Sequence, residues 1–171
     1  MKTIKLNKGK YAIVDDQDYE RLNKHKWSAQ KNYSTWYAIR CVRLSKGKWK
    51  TIQMHRVILG LKHTDTRLCD HKNHNGLDNR RDNLRVCTRS QNQHNRLSTK
   101  SSSSIYKGIY WVKITNKWRA EITCDGIRRR LGYYQSEIEA AKVYDNAAKT
   151  HHGKFALLNF PAKGVGNEGE L

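Results

Sequence analysis

The sequence predicts an α+β fold: a small basic β-rich N-terminal unit, a strand–loop–strand–helix segment, and a separate three-stranded antiparallel sheet packed on one α-helix. Three observations predict it. Short β-type runs alternate with turn signals over the first fifty residues; a polar, Ser-rich stretch interrupts the chain at 98–104; and an Asp-Gly hairpin signal followed by an alanine-rich helical run lies beyond it.

In the N-terminal unit, Tyr11-Ala12-Ile13-Val14, Trp36 to Val42 and Trp49 to Ile52 read as strands, the last two parted by the turn Lys46-Gly47-Lys48. Asp18 to Leu22 reads as a short helix, with Trp27 filling the core. Met54, Val57, Ile58 and Leu61 recur at helical spacing, with Gly60 placed as a C-cap, so a packed helix is expected over Met54 to Leu61. Leu68-Cys69-Asp70-His71 then reads as a strand, 72–83 as a polar loop, and Leu84-Arg85-Val86-Cys87 as a second strand. Thr88 and Gln91 have the S/T-x-x-Q spacing of a helix start, which places Asn92 in the first turn of a helix.

The run Ser98-Thr99-Lys100-Ser101-Ser102-Ser103-Ser104 is too polar to bury and lacks apolar periodicity, so it marks a boundary. After it, Ile105 to Val112, Lys117 to Cys124 and Ile127 to Tyr134 read as three strands, the last two joined through Asp125-Gly126. Ser136-Glu137-Ile138-Glu139 is a capping-box sequence, and Ile138, Ala141, Tyr144 and Ala148 share the helix face expected to cover the sheet. Beyond Pro161 the Gly-rich tail has no apolar pattern and is expected to be disordered. The expected division is therefore 1–52, 53–97, 98–104, 105–161 and 162–171.

Charge narrows the partner. Thirty-four Lys and Arg against fifteen Asp and Glu leave +19, a self-repelling excess that a polyanion would offset. Nucleic acid is the first choice, because no run of about 18 apolar residues and no basic helix with a broad apolar face supports a membrane partner. No obligate protein partner is evident. The opening MKTIKLNKGK lacks the apolar core of a secretory signal, so a reducing cytoplasm is expected. Cys41, Cys69, Cys87 and Cys124 never approach a C-x-x-C spacing and are expected to be thiols rather than zinc ligands.

Asp70-His71, Asn75-Gly76-x-Asp78-Asn79-Arg80-x-x-Asn83-Leu84 and Asn92 resemble, in identity and spacing, the ββα-metal pattern of the HNH nuclease family. That resemblance implies one divalent cation held by Asp70 and Asn92, whose oxygen donors suit a hard ion such as Mg²⁺ or Mn²⁺. It also implies His71 as general base and Asn83 as the residue pinning the loop that orients it. Ordinary turn chemistry is the alternative reading of Asn75, Asp78, Asn79 and Asn83. His55, His74 and His94 remain candidates for phosphate contact, while His25, His63, His151 and His152 are given no role.

From Ile105 to Pro161 a second resemblance is carried by Tyr106-Lys107-Gly108-Ile109, Lys117-Trp118-Arg119-Ala120-Glu121-Ile122, Leu131-Gly132-Tyr133-Tyr134, Glu139-Ala140-Ala141-Lys142-Val143-Tyr144-Asp145 and Leu158-Asn159-Phe160-Pro161. These resemble the plant ethylene-response-factor (Apetala-type) DNA-binding domain, which also occurs fused to HNH nucleases in phage and bacterial homing endonucleases. Strand alternation points Trp118, Ala120 and Ile122 at the helix and puts Arg119, Glu121 and Thr123 on the opposite face, joined by Arg128 and Arg130. With Tyr110 and Lys113 these are the candidate contacts to double-stranded DNA, arginine being able to hydrogen-bond guanine edges in the major groove. Tyr110 and Arg130 depart from the plant pattern, so its base preference does not transfer. The expected function is a metal-dependent DNA endonuclease of HNH homing type. The alternatives are a DNA-binding regulator on an inactive nuclease-like scaffold, an RNA-directed protein, and, for the arginine face, phosphate contact without sequence information.

Overall fold

The computed structural model describes residues 1–32, 35–62, 64–97 and 103–161. Among them lie four small antiparallel sheets and four α-helices, and the chain divides into two compact units, Met1–Asn92 and Gln93–Leu171. The tail expected to be disordered and most of the Ser-rich stretch, 98–102, lie outside the described residues.

The first unit opens with strands β1 (Lys2–Lys5) and β2 (Tyr11–Val14), which pair as a hairpin, followed by helix α1 (Asp16–Asn23). Strands β3 (Ser28–Asn32), β4 (Thr35–Ser45) and β5 (Lys48–Gln53) form a sheet in that order. Helix α2 (Met54–Ile58), the strand pair β6 (Leu68–His71) and β7 (Leu84–Cys87), and helix α3 (Arg89–His94) complete the sequence of elements. Ile4, Leu6, Ala12, Val14, Leu22, Trp27, Ala29 and Ala38 share one core with Met54, Ile58 and Leu84. The β-rich segment and the segment that follows it therefore bury their apolar faces together, which is how the hydrophobic effect favours one core over two marginal ones.

Two strands escape the sequence reading. β1 and β3 carry Lys, Gln and Asn at most positions, so their apolar alternation reduces to Ile4 and Ala29. Helix α2 is also shorter than its periodicity predicts. It closes in a Schellman arrangement, in which Gly60 N–H donates to Val57 O (3.2 Å) and Leu61 N–H to Arg56 O (2.9 Å). Leu61 thus lies past the cap rather than on the helix.

In the second unit β8 (Ile109–Val112), β9 (Lys117–Cys124) and β10 (Ile127–Tyr134) form a meander with β9 central. Asp125 and Gly126 both take positive φ, 53° and 77°, as a type I′ hairpin turn requires. The first strand starts at Ile109 rather than Ile105, because Ser103 and Ser104 hold the preceding backbone in a turn: their Oγ atoms accept from Trp111 and Tyr106 N–H, each at 2.9 Å.

Helix α4 (Glu137–His152) is capped by Ser136 Oγ, which accepts from Glu139 N–H. It packs Ala140, Ala141, Tyr144 and Ala148 against Ile109, Ala120, Ile122 and Cys124. Ile138, assigned to that face by periodicity, is 50% exposed. The sheet is met two and three positions later by Ala140 and Ala141, so the apolar stripe starts only after the first turn. Buried Asp145 accepts from Asn159 N–H (2.8 Å) and Phe160 N–H (2.7 Å), and Asn159 bonds both backbone groups of Lys107. The C-terminal Leu158-Asn159-Phe160 is thereby tied to the helix and to the first strand's approach.

Candidate functional site

The β6–β7 pair places Asp70 opposite Arg85 and His71 opposite Leu84. Leu84 and Val86 share one face of this short ladder with Cys69 and His71, and Leu68 shares the other with Asp70 and Arg85; Asp70 (7% exposed) and His71 (5% exposed) are both buried. A buried carboxylate needs a partner. Asp70 Oδ2 receives Arg85 Nε at 2.8 Å and a terminal guanidinium nitrogen at 2.6 Å.

The 72–83 loop that joins these strands is held from both sides. Asn83 Oδ1 accepts from Asn73 N–H (3.0 Å), its Nδ2 donates to Asp78 O (2.8 Å), and its backbone O accepts from Lys72 N–H (2.9 Å). Asp78 binds Arg80 through both carboxylate oxygens (2.8 and 2.7 Å) and Asn73 Nδ2 (2.8 Å), and the Arg80 hydrogen bonds hold its carboxyl below the usual range. The loop is also stitched to the N-terminal elements. Ile13 N–H donates to Leu77 O and Asn79 N–H to Ile13 O, both at 2.8 Å, while Arg81 grips buried Asp18 on α1 (2.7 and 2.9 Å). At Gly76 the loop lies so close to β4 that a Cβ would fall 2.4 Å from Trp36 O and 2.8 Å from the Tyr37 ring. Only glycine fits that approach.

His71 sits under this loop. Its Nε2 is 3.5 Å from Asn79 Oδ1, and burial lowers its pKa, opposed by that contact and by the charges of Asp70 and Asp78. Its ring meets the edges of Tyr37 (centroids 5.7 Å apart) and His55 (5.1 Å). Asn79 stands in the motif, with ordinary turn chemistry as its alternative reading, and was given no role; the fold brings it to the imidazole. Its signal was its position inside the Asn-rich loop, which turn chemistry masked.

Asn92 lies in α3, one turn past the cap. Thr88 Oγ1 accepts from Gln91 N–H (3.2 Å), Gln91 Oε1 accepts from Thr88 N–H (2.9 Å), and Asn92 N–H donates to Thr88 O (3.0 Å). The reciprocal cap read from the sequence is thus present. Among the described residues no three His, Cys, Asp or Glu side chains gather as a metal cluster, and what Asp70 and Asn92 could offer a cation is carboxylate and amide oxygen. That chemistry fits a hard divalent cation, which keeps several water or substrate oxygens, better than a zinc site of thiolates and imidazoles.

The second unit carries a separate cationic and aromatic face. The register pairs Arg119 with Tyr110 on one side and Tyr133 on the other, Glu121 with Arg130, and Thr123 with Arg128. Directly paired residues point the same way, so all seven share one face. Glu121 is only 9% exposed; it lies 3.0 Å from Arg119 and 4.0 Å from Arg128, and so spaces the guanidiniums. Arg119 stands over the Tyr110 ring at 5.9 Å and Arg130 over Tyr133 at 5.5 Å. Lys113 is not on this face but in the turn after β8. Tyr133 was missed, because simple alternation from Arg130 sends it inward. A bulge between Arg130 and Gly132, with Gly132 at φ 143°, shifts the phase and turns Tyr133 outward while Leu131 and Tyr134 pack on the core.

The site and fold define a mixed α/β protein in which a buried Asp-His strand end lies beneath an Asn-rich clamped loop, with a basic three-stranded sheet in a second unit. The chain is 32% identical over 157 residues to an uncharacterized HNH endonuclease of Acanthamoeba polyphaga mimivirus, a match spanning 89% of this chain and 76% of that protein, and it belongs to that HNH endonuclease family. It is also 31% identical over 87 residues to Protein 3.8 of Escherichia phage T7, spanning 51% of this chain and 71% of that one. Over 73 residues it is 37% identical to an AP2/ERF and B3 domain-containing transcription repressor of Arabidopsis thaliana, covering 43% of this chain and 20% of the repressor. No family model matches the chain, and no solved structure matches it significantly.

Proposed function

We propose that this protein is a metal-dependent DNA endonuclease of the ββα-metal type, with His71 as general base and a double-stranded DNA substrate located by the sheet of the second unit. The observation that carries the reading is His71 itself: an imidazole held under a clamped loop, beside a carboxylate, with burial keeping it neutral. A neutral imidazole accepts a proton from the water that attacks phosphorus. Asn79 Oδ1, 3.5 Å from Nε2, helps to set the orientation of this ring. Asn83 fixes the loop and acts through His71.

Asp70 and Asn92 are the residues that would hold the cation, Mg²⁺ or Mn²⁺. When bound it would polarise the phosphodiester and stabilise the charge on the leaving 3′ oxygen. The outward face of β8–β10 supplies Arg119, Arg128 and Arg130 to base edges or phosphates, with Tyr110, Glu121, Thr123 and Tyr133 between them; Lys113, in the adjoining turn, contributes a phosphate contact. The chain's +19 charge supplies the non-specific attraction on which this selectivity rests. Site-directed cutting of homing type follows from joining such a reader to a centre that carries little sequence information itself.

One observation favours a second reading, a DNA-binding regulator on a silent nuclease scaffold: Arg85 already neutralises Asp70. Supercoiled plasmid incubated with Mg²⁺, with Mn²⁺ or with chelator separates the two. Nicking that needs the cation supports the nuclease, and binding without any cutting supports the regulator.

A further inference from the structure

We propose that His55 and Tyr37 are positioning residues for His71, two rings that set the plane of its imidazole without touching substrate; the inference rests on the assignment of His71 as base. The three rings form a closed triangle. Their centroids stand 5.1 Å (His55–His71), 5.7 Å (Tyr37–His71) and 5.6 Å (Tyr37–His55) apart, with interplanar angles of 89°, 61° and 66°. Each contact is edge-to-face, the arrangement that aromatic quadrupoles favour and that resists rotation of either ring.

The two bracing rings are themselves fixed. Tyr37 belongs to the central strand β4 and lies against Gly76, whose N–H donates to Thr35 Oγ1 at 3.0 Å, so strand and loop grip it together. His55 is on α2, 5% exposed, with Nε2 3.1 Å from Gln53 Oε1 and Nδ1 buried without a hydrogen-bond partner. An edge-to-face partner for His71 needs a flat ring at this place, which an aliphatic side chain would not supply. Burial, with the nearby His71 and Arg56, lowers the His55 pKa to about 3, so the ring stays uncharged and adds no repulsion as His71 takes up a proton.

Orientation matters because a general base acts only along its lone pair. A misplacement of about 1 Å costs on the order of a hundredfold in rate. The test uses the full chain as wild type, Tyr37→Phe, Tyr37→Leu, His55→Phe and His55→Leu, with two readouts: the NMR ring C–H signals of His71, and the cleavage rate at saturating DNA with Mg²⁺ beside the DNA Kd. Tyr37→Phe and His55→Phe keep a ring, and are expected to keep the His71 signals and a rate within about threefold of wild type. The Leu variants are expected to move those signals and lower the saturated rate about ten- to a hundredfold with Kd little changed.

Folded Leu variants with unmoved His71 signals and full rate would overturn the proposal. So would a tenfold loss in His55→Phe, which would give the His55 nitrogen a chemical role instead. If the Leu variants fail to fold, the two Phe variants decide. If wild type cuts no DNA, the nuclease reading fails, while the NMR arm still judges the ring bracket.

Discussion

Arg85 and Asp70 are register partners across β6–β7, and the guanidinium holds one carboxylate oxygen through two contacts of 2.6 and 2.8 Å with both side chains largely buried. Arg85→Leu is expected to lower stability by about 3–5 kcal/mol in the absence of divalent cations, since it removes the ion pair of a buried carboxylate. If Asp70 is a cation ligand, Mg²⁺ should recover part of that loss, by linkage, and raise the Tm of the variant more than that of wild type. Equal Mg²⁺-induced shifts in thermal melts of the two proteins would remove Asp70 from the cation site.

Asn83→Ala deletes two loop-clamping hydrogen bonds and leaves Asn73 N–H and Asp78 O without them. Each such loss costs about 1–3 kcal/mol when the group stays buried. Calorimetry should show a Tm lowered by several degrees, and the cutting rate should fall further than the folded fraction does. A rate that tracks the folded fraction alone would reduce Asn83 to a purely structural part.

Acidification should destabilise the first unit from near neutrality downward. His55 titrates at about 3 in the folded chain against 6.5 in the unfolded one, and burial lowers the His71 pKa in the same direction. A lowered histidine pKa means that the unfolded chain binds more protons, so this stability is complete above pH 6.5 and is lost as pH falls toward the folded value. Asp18 and Asp78, held low by Arg81 and Arg80, lose their contribution only below the ordinary carboxylate value of 3.8. Circular-dichroism melts between about pH 7 and pH 4.5 isolate the histidine window. His55→Leu should flatten the decline, and an unchanged slope would contradict the assignment.

Gly132→Ala should disturb the second unit's face from behind. At φ 143° an added Cβ would fall 2.6 Å from the Tyr134 hydroxyl, which donates to Leu131 O, so the bulge that turns Tyr133 outward cannot persist unstrained. Gel-shift titrations are expected to show Gly132→Ala, Tyr133→Ala, Arg128→Ala and Arg130→Ala each weakening site-specific binding, by about 1–3 kcal/mol where an arginine reads a base. Metal-dependent non-specific nicking should persist in all four. Full site-specific affinity in the two arginine variants would assign the face to another role.

Legibility followed the physics of each element. Strands with apolar alternation, such as Tyr11–Val14 and Lys117–Cys124, and turns with a chemical requirement, such as Asp125-Gly126, were readable because one segment carries the whole signal. β1 and β3 were not, since polar edge strands are stabilised by pairing that their own residues do not announce. The site divides in the same way. Asp70, His71, Asn79, Asn83 and Asn92 stand in a spaced motif, though turn composition hid the part of Asn79, whereas Tyr37, His55 and Arg85 join it only through contacts between segments distant in sequence. Tyr133 needed the bulge, a one-residue shift of register that alternation cannot foresee.

The central claim is most directly tested by comparing wild type with His71→Ala for Mg²⁺-dependent cleavage of double-stranded DNA while measuring DNA affinity in the same buffer. Loss of a general base costs about a hundredfold or more in rate. The account predicts such a loss with affinity little changed and with no cutting by either protein in chelator; cutting by His71→Ala at a rate comparable to wild type would contradict it.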